Sequence, residues 1–187
     1  ESTMKFLLTG EISINGNTFQ MTPHEWGLTV LFHNYLKNLE TGWDTSGLQR
    51  AIQLQIQDKG EERDKEVNKL SEFQKNIFNS IIKGKPTKEI KKLAQEMILN
   101  EKEDLKSLSP IYWANDIQEK VFIMPGSNDT MVPFTESIQL ANELPNSELF
   151  VSHLYGHSEF SKDKGFFFNF VEIIKLIKFY AKFFNHY

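Results

Sequence analysis

Hydrophobic positions along this chain follow two different patterns. MKFLLTG (4–10) is a short apolar run closed by Gly10, and it predicts a short buried strand. Residues 10–21, with Gly10, Asn15, Gly16 and Asn17, read as a loop. Thr22-Pro23-His24-Glu25 predicts a helix start, with a capping threonine, a first-turn proline and a glutamate able to reach back. Leu28, Leu31, Phe32, Tyr35, Leu36 and Leu39 continue at helical spacing. After the loop TGWDTSG (41–47), no strand pattern occurs until about residue 108. Leu48, Ile52 and Ile56 predict one helix; Val67, Leu70, Phe73, Ile77, Phe78 and Ile81 predict a second, broken by Gly84 and Pro86. Ile90, Leu93, Ala94, Met97 and Ile98 predict a third. The charged stretch DKGEERDKEVNK (58–69) reads as a solvated helix face or a mobile connection.

Beyond Ser109-Pro110 the pattern changes. KVFIM (120–124) predicts an apolar strand, and a helix starting at Pro133 carries Ile138, Leu140, Ala141 and Leu144. ELFV (148–151) predicts another strand, and 163–186 a long helix. Phe166, Phe170, Ile173, Ile174, Ile177, Tyr180, Ala181 and Phe184 lie on its wide apolar face. Strand, helix, strand, helix implies parallel strands with crossover helices, hence an α/β sheet covered on both faces. Functional groups in such sheets gather at the carboxyl ends of the strands. Asp129 and His157 both follow predicted strand ends.

Composition narrows the function classes. The 187 residues suit one domain, and 40 % hydrophobic residues support a packed core. A net charge of −4 without a basic stripe disfavours nucleic-acid binding. No cysteine is present, which removes disulfides and thiolate metal sites and fits a reducing compartment. No apolar run is long enough to span a membrane, and the N-terminus does not resemble a signal peptide, so the expected location is the cytoplasm. His153 and His157 have a helical zinc spacing, but Tyr155-Gly156 after a strand argues for a loop. His24-Glu25 begins a metal motif that fails at Leu28. Neither metal nor cofactor is expected. Trp26, Trp43 and Trp113 are expected to fill a seam between helical and sheet portions rather than to line a pocket.

An acid and a histidine at neighbouring strand ends suit acyl transfer. The histidine moves the nucleophile's proton and the acid orients the imidazole. VFIMPGSNDTMVP resembles the acid-bearing strand, turn and helix start of the α/β-hydrolase family, and SELFVSHLYGHSEF resembles its last strand and histidine loop. The final helix matches the family's last helix, and the helical block 41–108 resembles its inserted lid. The resemblance covers the C-terminal half of that fold. It implies a partial hydrolase core from 1–40 and 109–187, a helical lid at 41–108, and MKFLLTG in place of the sixth strand. It also implies an acid role for Asp129 and a general-base role for His157. No Gly-x-Ser-x-Gly elbow occurs here; the decoy around Ser13 is spaced too widely. The implied nucleophile is therefore a serine upstream of residue 1, and the implied substrate a small acyl compound. Two alternatives stay open: a related enzyme with a carboxylate nucleophile, and a non-catalytic binding module. An exposed sheet edge and the aromatic last helix point to a homo-oligomer, or to association with a missing N-terminal half.

Overall fold

The computed structural model describes residues 2–154 and 165–186. The chain forms two compact units, Glu1–Glu11 with Thr22–Leu105, and Ile12–Met21 with Lys106–Tyr187.

The first unit is helical among the described residues. MKFLLTG lies in helix α1 (Ser2–Thr9), not in a strand. Met4, Phe6, Leu7 and Leu8 are buried, and the 4, 7, 8 spacing is that of one helix face. Gly10 closes α1 at φ 72°, its N–H donating to the Phe6 carbonyl. The chain returns as α2 (Trp26–Tyr35), which starts later than the Thr22-Pro23 signal suggests. Here His24 Nδ1 accepts from the Trp26 N–H at 3.2 Å, and no side-chain cap is formed by Glu25. Gly27 lets α2 approach α1, because a Cβ there would lie 2.3 Å from Leu7 Cδ2.

Helices α3 (Ser46–Ile56), α4 (Gly60–Lys69), α5 (Glu72–Ile82) and α6 (Lys88–Asn100) complete this unit. The stretch from Val67 to Ile81 is split into two helices, because Ser71 and Gln74 form a reciprocal capping box that starts α5 afresh. Helix α4 buries no residue, as its charge pattern requires. Leu28, Phe32, Leu48, Ile52, Ile81, Ile90 and Met97 are buried at the centre, each contributing roughly 1.5–3 kcal/mol. Trp43 meets Phe73 edge to face at 5.6 Å. Helix α7 (Lys102–Leu108) carries the chain across the unit boundary.

The second unit starts with a hairpin, β1 (Glu11–Ile14) and β2 (Asn17–Gln20). Asn15 and Gly16 turn it with φ of 50° and 80°, the left-handed pair that a two-residue hairpin loop demands. Further on, β3 (Val121–Ile123) pairs in parallel with β4 (Ser147–Leu149), and α8 (Phe134–Glu143) crosses between them. Helix α9 (Phe166–His186) follows and lays Phe179 and Phe183 against Phe122, with ring centroids 5.7 and 5.3 Å apart.

The expected extended parallel sheet of an α/β-hydrolase half is therefore corrected. Among the described residues there are two separate two-stranded sheets, one antiparallel and one parallel. A short apolar run such as Phe6-Leu7-Leu8 cannot distinguish a buried strand from a buried helix turn. At 5–8 the packing of α1 against α2 and α6 decides for the helix.

Candidate functional site

The carboxyl ends of β3 and β4 are built by one register. Partners stand 26 residues apart from Val121–Ser147 through Ile123–Leu149, and the bridge Gly126–Ser152 keeps that offset past Pro125. Three backbone bonds hold the extension. The Phe150 N–H donates to the Ile123 carbonyl at 2.9 Å, the Ser152 N–H to Pro125 at 2.8 Å and the Ser127 N–H to Ser152 at 2.7 Å. The next pair in this register is Ser127 and His153. Ser127 Oγ and His153 Nδ1 share a hydrogen bond of 2.7 Å, and Ser127 is only 7 % exposed.

Asp129 follows in the same turn. Its N–H donates to the Gly126 carbonyl at 3.2 Å. Its Oδ1 accepts from the Met131 and Val132 N–H groups at 2.8 and 2.9 Å. The carboxylate thus organises the turn that leads through Val132 to Pro133, which caps α8.

A buried acid supports the β4 side. Glu172 of α9 is 1 % exposed, and its Oε2 accepts from the His153 N–H at 3.3 Å while Oε1 accepts from Lys175 Nζ at 2.7 Å. Burial pushes the Glu172 carboxyl up, but the Lys175 hydrogen bond and charge, together with the His153 N–H, outweigh it. The carboxyl is held below the usual glutamate value. The His153 ring also meets Phe168 edge-on at 5.9 Å. The Ser152 side chain is fully buried and accepts from the Leu154 N–H at 3.2 Å. Strand ends, turn and helix are thereby joined by polar bonds where the apolar core is thin.

Of the two residues predicted for acyl transfer, Asp129 lies at this strand end, and His157 lies outside the described residues. Ser13 sits on β1 with its hydroxyl 3.4 Å from that of Thr18, in a hairpin rather than a strand-to-helix elbow. Trp113 is exposed. Sequence reading missed the Ser127–His153 bond and the anchoring role of Glu172. The first was findable only through the strand register, since nothing in a separation of 26 residues marks a contact. The second had one visible signal: Glu172 is an acid among the apolar residues of α9.

Helices long and apolar enough to cross a membrane do not occur among the described residues. Comparison of the chain with known protein families, characterised proteins and solved structures yields no match.

Proposed function

We propose that Asp129 and His157 are the acid and base of a hydrolase that cleaves an ester or related acyl bond. The serine nucleophile stands on an elbow encoded upstream of residue 1. The observation that supports this reading is the β3–α8–β4 unit. Its parallel pairing sets Asp129 just past one strand, and His157 follows the neighbouring strand in the sequence. In this mechanism the serine oxygen attacks the acyl carbon while His157 takes its proton. The proton then passes to the departing alkoxide, and a water molecule repeats the sequence to release the acid. Asp129 fixes the imidazole tautomer and steadies the imidazolium.

The test is ester turnover and fluorophosphonate labelling of the protein expressed together with its upstream coding sequence. Labelling of an upstream serine is expected, with His157→Ala losing most of the activity. Full activity in the His157→Ala variant would sink the reading. Turnover without labelling would point instead to a carboxylate nucleophile. Residues 1–187 alone are expected to show no saturable turnover, because acyl transfer needs a nucleophile beside the base and donors for the oxyanion.

A further inference from the structure

Helix α9 has an inner stripe packed in its own fold, a charged flank whose Lys175 and Lys182 pair with Glu172 and with Glu148 of β4, and a third, apolar face. Glu172, Leu176, Phe179 and Phe183 are buried or half-buried and form the inner stripe. Lys175, Lys178 and Lys182 form a charged flank. The remaining face carries Phe170, Ile173, Ile174, Ile177, Tyr180, Ala181 and Phe184, all exposed. Phe170 is 53 % exposed, Ile177 60 % and Phe184 71 %. Tyr180 and Phe184 stack at 6.2 Å, so part of this surface is a preformed aromatic ledge.

We propose that this face is the interface with a second copy of the chain, formed by α9 packing antiparallel on its twin about a two-fold axis at Ile177. Three observations favour a second copy as the occupant. The first is spacing: the positions recur as 170, 173, 174, 177, 180, 181 and 184, the stripe that one helix offers another. The second is symmetry. Under antiparallel pairing centred on Ile177, Phe170 faces Phe184, Ile174 faces Tyr180 and the bulky Ile173 faces the small Ala181. An isologous contact requires such self-complementarity. No charge interrupts the stripe, and the lysines fall on the flank, where they stay solvated.

The third is size. At roughly 200 Å² per large apolar side chain, the exposed fractions add up to about 600 Å², which approaches the roughly 800 Å² per partner of a stable interface. That is at the upper end of the largest apolar patch on an ordinary monomer, roughly 300–600 Å².

The chain lacks cysteine, which makes the test clean. Light scattering on the 187-residue protein is expected to give twice 21.8 kDa, and Ile177→Glu is expected to give the single-chain mass with an unchanged circular dichroism spectrum. Ile177→Cys lies on the axis and is expected to join two chains through a short bismaleimide. Phe170→Cys is expected to stay unjoined, because antiparallel copies separate those positions by about 21 Å along the helix. A monomeric wild type overturns the proposal. A dimer in which Ile177→Cys stays unjoined also overturns it, whether or not Ile177→Glu folds. Joining through Phe170→Cys alone overturns the antiparallel arrangement.

Discussion

Single residues at the strand ends have separable structural and chemical roles. Asp129 accepts two backbone N–H groups through one oxygen, a role that an asparagine oxygen can also fill. Asp129→Asn should therefore change stability by less than about 0.5 kcal/mol in urea denaturation, while Asp129→Ala should cost about 1 kcal/mol. If the acyl-transfer reading holds, the same asparagine should lower turnover of the complete enzyme by about 10⁴-fold, because it favours the wrong imidazole tautomer. Glu172 makes the complementary case. Glu172→Leu removes the acceptor of the half-buried His153 N–H and should cost about 1–3 kcal/mol. Because the folded carboxyl titrates below its unfolded value, its contribution is complete above the usual glutamate range. That contribution is lost as pH falls through the lower folded value. Stability measured across that acid window should fall more steeply in the wild type than in Glu172→Leu.

At the scale of elements, local signals were reliable where they involved specific caps and turns. Thr87 accepts from the Ile90 N–H and starts α6 where the apolar spacing begins. Ser71 and Gln74 carry an equally readable capping box, and it overrides the continuous apolar spacing around it. Ser71→Ala should cost about 0.5–2 kcal/mol in thermal unfolding. Asn15-Gly16 is a readable hairpin turn, but the cluster Gly10, Asn15, Gly16 and Asn17 made 10–21 resemble a loop. Gly84 combines φ 59° with a Cβ position 2.6 Å from Glu25 Cα. Gly84→Ala should therefore destabilise by more than the roughly 1 kcal/mol of the left-handed backbone alone, a difference that chemical denaturation can resolve.

On the scale of the molecule, the two units handle apolar surface differently. The helices of the first bury theirs, from Phe6 to Met97. In the second, the fully buried set includes Ser152 and Glu172, while the large apolar side chains of α9 stay mostly exposed. If α9 pairs with its twin, the melting temperature of the protein should rise with concentration, since association stabilises the folded state by mass action. That dependence should vanish in Ile177→Glu.

Periodicity in the chain was enough to place α3, α6, α8 and the parallel β3–β4 pair. In each of these the apolar spacing, the cap or the crossover order is a property of nearby residues. It was also enough to mark Asp129 as an acid at a strand end. Whether MKFLLTG became strand or helix depended on α2 and α6, and the close approach at Gly27 came with that choice. The sheet expected around it therefore did not extend. The Ser127–His153 bond and the burial of Glu172 were likewise decided by tertiary structure. They arise from a strand register and a helix docking that join residues 26 and 19 positions apart, and no local pattern encodes such distances.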